Sequence, residues 1–173
     1  MAGLIHVYTG GGKGKTTAAV GLCARARGRD KAVVFAQFLK SGATGEIGSL
    51  EKLGVMVIRS NRRFGFTNEM DEAAKAACRE EQERIAGRID TALREEPVDL
   101  LVLDEVLDAV NAGMFEERRL RSLLEDRNPD IEVVITGRRP GAWLMEAADY
   151  ISDIQKVKHP FDKGIQARIG IEK

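Results

Sequence analysis

The sequence predicts an α/β fold in which a mostly parallel central sheet carries helices on both faces. Three observations predict it. Short apolar runs alternate with longer helical stretches, the pattern of successive βαβ units. The strand-like runs are apolar on both faces, as strands covered from two sides are. The first run opens directly into a glycine-rich loop, Thr9-Gly10-Gly11-Gly12-Lys13-Gly14-Lys15-Thr16, and then a helical stretch. A chain of 173 residues has the length of one ordinary domain, and residues 1–173 are read as one.

The elements follow in order. Leu4–Tyr8 reads as the first strand and Thr16–Arg27, rich in alanine, as the first helix. Ala32–Ala36 and Val55–Ile58 read as strands on either side of a short helix near Ile47–Leu53. The longest helix is predicted over Glu69–Glu96, with Asn68 as its N-cap, Asp71 in its first turn and Pro97 closing it. Within it, the mixed-sign run from Arg79 to Arg84 reads as a solvated face. Leu100–Leu103 is a strand, and helices are predicted near Leu107–Asn111 and Glu117–Asp126. Glu132–Thr136, Tyr150–Ile154 and Ala167–Ile171 read as further strands, with a helix over Ala142–Ala148 between the first two.

Composition narrows the function. Lys plus Arg equals Asp plus Glu at 27 each, so no net charge draws the chain toward nucleic acid or an anionic membrane. Arg59, Arg62 and Arg63 form a local basic cluster, but they lack the interleaved aromatic residues of a base-stacking platform. No apolar run approaches the ~20 residues of a membrane span, and the amino end has no leader-like pattern. The expectation is a cytoplasmic protein without nucleic-acid or membrane partners. Cys23 and Cys78 are far apart and read as reduced, buried small hydrophobes. Two histidines, His6 and His159, do not make a histidine-rich metal site.

The chemistry lies in the glycine loop. A strand before it and a helix after it are the context in which such a loop binds phosphate. Gly10, Gly11, Gly12 and Gly14 let the backbone curl so that N–H groups point inward. The helix start adds free N–H groups and the positive end of its dipole. Lys15 supplies a point charge, the Thr16 hydroxyl a ligand for Mg²⁺, and Thr17 a donor to phosphate. A P-loop NTPase-like fold is therefore expected. A second element agrees: Leu100–Leu103 runs into Asp104 and Glu105. The ligand crevice of a parallel sheet lies at the carboxyl ends of its strands, which would bring these carboxylates beside Thr16 and the metal.

Further blocks complete a pattern. They are Tyr8 to Ala19, Gln37-Phe38-Leu39-Lys40, Gly65-Phe66-Thr67, Val102-Leu103-Asp104-Glu105, Val134-Ile135-Thr136-Gly137-Arg138, and Val157-Lys158-His159-Pro160-Phe161-Asp162-Lys163-Gly164. In this order and spacing the chain resembles the P-loop type ATP:cob(I)alamin (corrinoid) adenosyltransferases over nearly its whole length. The glycine loop by itself is unspecific, and the Thr-Gly-Arg and closing blocks carry the resemblance. It implies transfer of the 5′-deoxyadenosyl group of ATP to Co(I) of cob(I)alamin or another corrinoid, with release of inorganic triphosphate.

The resemblance also implies a site. Gly10, Gly11, Gly12, Lys13, Gly14, Lys15, Thr16 and Thr17 would hold the triphosphate, and Thr16 and Glu105 would hold Mg²⁺ or Mn²⁺. Lys15, Thr16 and Glu105 would be the catalytic set. Arg25 is a family position near the nucleotide, and Arg138 would meet triphosphate oxygens. Phe66 and Asn68 would line the corrinoid face, with Asn68 standing where some relatives carry tryptophan; Asn68 also makes sense as a helix cap. His159, Phe161 and Asp162 receive no individual roles beyond the turn after Pro160. A lid is expected from the Ser41–Gly48 segment or a second subunit. A homodimer is implied, and so is an external electron donor such as a reduced flavoprotein. Two alternatives stay open from the residues themselves. One is a P-loop ATPase or nucleotide kinase, which would release ADP or a phosphorylated acceptor. The other is a non-catalytic ATP- or corrinoid-binding module, which would leave ATP intact.

Overall fold

The computed structural model describes residues 2–40, 42, 44–65 and 67–172. The strands are β1 (Ile5–Thr9), β2 (Val33–Gln37), β3 (Met56–Arg59), β4 (Leu100–Asp104), β5 (Glu132–Thr136) and β6 (Tyr150–Asp153). The helices are α1 (Lys15–Arg27), α2 (Gly45–Lys52), α3 (Glu72–Glu95), α4 (Val106–Asn111), α5 (Glu117–Glu125) and α6 (Ala142–Ala147). The six strands form one sheet in the order β3-β2-β4-β5-β1-β6. Every pairing is parallel, so the expected parallel sheet is realised.

Period-two alternation divides the sheet between two cores. On one face Val34, Ala36, Leu101, Leu103, Val133 and Ile135 meet Ile85 and Ile89 of α3, Val106 of α4, Leu120 and Leu123 of α5, and Leu144 of α6. On the other, Val33, Phe35, Leu100, Val102 and Val134 meet Ala19 and Cys23 of α1 and Ile47 and Leu50 of α2. Strands buried from both sides read as continuous apolar runs, which is why β2 and β4 were legible. Cys23 and Cys78 are free and buried, as expected. Burial pushes the Cys23 thiol up to about 12 and raises that of Cys78 as well. Among the described residues no helix is long and apolar enough to cross a membrane.

Three expectations are corrected. Ala167–Ile171 is no strand: it lies in loop and turn beyond β6, with Ile169 94% exposed and Gly170 at φ +76°. Alternating isoleucines imitate a strand, but no neighbouring strand supplies a ladder, and Glu172 pairs with Arg168 instead. Helix α3 is capped by Asp71, whose side chain accepts from the Ala74 N–H at 2.7 Å, while Asn68 sits in a 3₁₀ turn over Thr67–Glu69. Both residue types cap helices well, and local sequence does not choose between them. The charged run in α3 is only partly solvated, since Glu81 and Gln82 are buried. The Gln82 side chain accepts from the Leu39 N–H at 3.1 Å, so it is the tie between α3 and the end of β2.

Candidate active site

The carboxyl ends of the strands share one edge of the sheet, and the site is built there. From β1 the chain enters the glycine loop. Gly10 has φ +103° and Gly14 φ +125°, backbone conformations that side chains resist. A Cβ on Gly10 would also stand 2.3 Å from Oδ1 of Asp153, and one on Gly12 would stand 2.7 Å from the carbonyl oxygen of Ile154. The loop is thus pressed against the end of β6, and the Gly12 N–H donates to that Ile154 carbonyl at 2.7 Å. The first turn of α1 follows, with N–H groups that no intrahelical carbonyl can satisfy.

Lys15 reaches back across the loop and donates to the carbonyls of Gly10 and Gly12 at 2.8 and 2.9 Å. Burial, and after it the positive charge of Arg138, lower its ammonium below the usual lysine range. Both effects make an anion among these groups favourable.

The acidic side of the site comes from β4. Asp104 is fully buried. Its Oδ1 accepts from the hydroxyls of Thr16 at 2.9 Å and Thr136 at 2.8 Å, and its Oδ2 from the Gln37 amide at 3.2 Å. The next residue, Glu105, takes a left-handed backbone conformation at φ +59° and pairs with the Lys40 ammonium at 2.9 Å. Burial raises the Glu105 carboxyl above its usual range, with Lys40 opposing the shift. Burial alone would lower Lys40, but Asp104 and Glu105 overcome that and raise it.

The residues proposed for a metal suit one. The Thr16 proton goes to Asp104, which leaves the hydroxyl lone pairs free for a cation. A hydroxyl and carboxylates are hard oxygen donors, suited to Mg²⁺ or Mn²⁺ completed by water and phosphate oxygens.

A cavity of about 1430 Å³ lies over this edge. Gly11, Gly12, Lys13, Gly14, Lys15, Thr16, Thr17, Glu105 and Arg138 all line it. Arg138 follows β5 and pairs with Asp108 at 3.7 Å, one turn after Glu105. Gly137 makes that approach possible, since a Cβ there would lie 2.6 Å from Cβ of Leu107. Asn111 donates to the Arg138 carbonyl at 2.8 Å and fixes the same turn. The lining also includes Phe64, Thr67, Met70 and Ala112. His159, Pro160 and Phe161 reach the cavity from the 3₁₀ turn Pro160–Lys163, where His159 caps the turn by accepting from the Phe161 N–H at 3.1 Å. Ala167, Gly170 and Ile171 also border the cavity, and the adjoining Glu172 lies 3.5 Å from Lys13.

Two expected residues stand apart. Arg25 is exposed in the last turn of α1, about 15 Å along the axis from Lys15 at the helical rise, and it does not line the cavity. Asn68 is exposed, and its neighbours Thr67 and Met70 line the wall where it does not. Phe66 lies outside the described residues, as does Ser41 of the expected lid. Sequence reasoning missed Gln37, Lys40, Asp108 and Thr136 as parts of the site. Gln37, Lys40 and Thr136 stood within quoted blocks, but nothing local told which atoms they would meet.

A parallel sheet with a phosphate loop after its first strand and paired acids after a later one defines a P-loop nucleotide-binding protein. The model of the family described as ATP:corrinoid adenosyltransferase BtuR/CobO/CobP matches residues 1–172. The chain is 37% identical over 171 residues to the corrinoid adenosyltransferase of Escherichia coli strain K12, which covers 98% of this chain and 85% of that protein. It is likewise 37% identical over 171 residues to the corrinoid adenosyltransferase CobA of Salmonella typhimurium, with the same coverage. It is 34% identical over 172 residues to the corrinoid adenosyltransferase of Pseudomonas aeruginosa, covering 98% and 83% of the two chains. The chain belongs to the ATP:corrinoid adenosyltransferase family.

Proposed function

We propose that this chain transfers the 5′-deoxyadenosyl group of ATP to Co(I) of a corrinoid, with cob(I)alamin or cob(I)yrinic acid a,c-diamide as acceptor. The observation that carries the reading, beside family membership, is the shape of the site. Small-molecule pockets usually run to about 300–1,000 Å³, and this one holds about 1430 Å³. Phosphate-binding groups line it together with the apolar residues Phe64, Met70 and Ala112. That is room for a nucleotide and a second, bulkier, partly apolar substrate.

In the reaction, the electron pair of Co(I) forms the Co–C5′ bond as the C5′–O bond breaks. The bonding pair leaves on the triphosphate, and cobalt becomes formally Co(III). No proton moves, so no general base is required. The protein neutralises the leaving group and holds the two reactants in line. The N–H groups from Lys13 to Thr17 cradle the triphosphate, while that of Gly12 is held by the Ile154 carbonyl and fixes the loop. Lys15 exchanges its bonds to the Gly10 and Gly12 carbonyls for phosphate oxygens, and Arg138 approaches the same anion while Asp108 orients it. Mg²⁺ or Mn²⁺, held by Thr16 and Glu105, would add positive charge against the departing triphosphate. The family pattern assigns Phe66 to the corrinoid face. The same reading takes the protein as a cytoplasmic homodimer that receives Co(I) through an external donor such as a reduced flavoprotein.

The test is product identity. Incubation with ATP, Mg²⁺ and chemically reduced cobalamin is expected to give adenosylcobalamin, followed by absorbance, and triphosphate in equal amount. Release of ADP and phosphate would replace this reading with an ATPase or kinase. Intact ATP would leave a binding module.

A further inference from the structure

Among the non-glycine residues of the site that hold left-handed backbone conformations are Leu39 at φ +58° and Glu105 at φ +59°. Such a conformation is strained for a bulky side chain and persists only where surrounding contacts impose it. Leu39 is held in this way. The Phe38 N–H donates to the Asp104 carbonyl at 2.9 Å, and the Lys40 N–H turns back to the Phe38 carbonyl at 2.6 Å. From α3, the fully buried Gln82 accepts from the Leu39 N–H. The outcome of both strained turns is one contact: the Lys40 ammonium lies 2.9 Å from Oε1 of Glu105 and 3.7 Å from Oδ2 of Asp104. Among the described residues, Lys40 is the ion-pair partner that these two carboxylates share.

We propose that Lys40 is a resident counter-cation of the Asp104–Glu105 pair, which holds the acids in place without metal and yields Glu105 when the metal-bound nucleotide arrives. This rests on reading Thr16 and Glu105 as the metal ligands. Two adjacent carboxylates in a partly desolvated cleft repel each other and any incoming polyphosphate. A lysine is suited to the exchange, being a point charge on a flexible stem that can swing aside without leaving its own turn. Its value is therefore greatest where no divalent ion is present.

Calorimetric titration with ATP, in Mg²⁺ and in EDTA, tests this. Lys40→Met keeps the stem and removes the charge. Its ATP affinity in EDTA is expected to fall on the order of tenfold, while its affinity in Mg²⁺ changes by less than about threefold. Adding Glu105→Gln to Lys40→Met should recover part of the affinity in EDTA and of the melting temperature lost in the single variant, since it leaves one uncompensated carboxylate in the cleft in place of two. Equal losses in the two media would make Lys40 a plain phosphate ligand, and no loss in EDTA would remove its role; either overturns the proposal. If Lys40→Met fails to fold, the double variant decides. Recovery of the fold supports the pairing, and failure to recover it refutes the pairing. Wild-type protein that binds no ATP in Mg²⁺ would sink the nucleotide reading itself.

Discussion

The Thr136 hydroxyl donates to Oδ1 of Asp104 at 2.8 Å and accepts from the Glu105 N–H at 2.9 Å. One side chain from β5 thus fixes both acids at the end of β4. Thr136→Val keeps the shape and removes both bonds, leaving a buried carboxylate oxygen and an N–H short of a partner. Each such loss costs about 1–3 kcal/mol. For the two together, denaturant unfolding is expected to show a drop of about 2–6 kcal/mol, with weaker Mg²⁺-dependent ATP binding. Wild-type stability and binding would mean that the bridge holds nothing in place.

Lys15 spans the loop to the Gly10 and Gly12 carbonyls. Charge-assisted contacts to phosphate contribute about 1.5–3 kcal/mol. Lys15→Ala should therefore weaken ATP binding by roughly 10- to 150-fold and abolish adenosyl transfer. Calorimetry reads the first and absorbance the second. Near-wild-type values in both would rule out the triphosphate position proposed above.

Phe66 is tested by the oxidation state of the cobalt supplied. A retained lower axial ligand stabilises Co(II) and hinders its reduction, whereas an apolar wall excludes that ligand. Phe66→Ala should slow turnover by about an order of magnitude or more when Co(II) is reduced on the enzyme, and much less with chemically prepared Co(I). Equal losses with the two sources, together with a lower melting temperature, would make Phe66 a packing residue only.

Asp99 gives a pH-dependent test remote from the site. It accepts from Lys31 at 2.8 Å and from the Ala32 N–H at 2.7 Å, tying the starts of β2 and β4 together. The Lys31 hydrogen bond, and after it that from Ala32, hold its carboxyl below the ordinary 3.8. A depressed folded-state value means that the ionised form stabilises the fold above 3.8, and that this stability fades as pH falls through the lower folded-state value. Asp99→Asn should lower the melting temperature at pH 7, and the gap from wild type should close under acid. A gap that is constant from pH 7 to pH 2 would contradict the assignment.

Local chemistry was enough to determine the loop from Gly10 to Thr17 and the strands β1 to β6. A phosphate loop is a contiguous run of glycines before a helix start, and a strand buried on both faces is a contiguous apolar run, so a few neighbouring residues carry the whole signal. Tertiary structure decided what depends on distant partners. The isoleucines of residues 165–171 have the spacing of a strand, but a strand exists only where another edge accepts its hydrogen bonds, and none does. Asn68 and Asp71 have the same capping chemistry, and the path of the chain into α3 chose Asp71. Gln82 looked like one more polar residue on a solvated face until the end of β2 covered it. Gln37, Lys40, Asp104 and Thr136 come from three separate strand ends, and only the order β2-β4-β5 brings them together. Local sequence determines conformation over a turn or two, whereas a hydrogen bond between residues 104 and 136 is determined by which strands lie side by side.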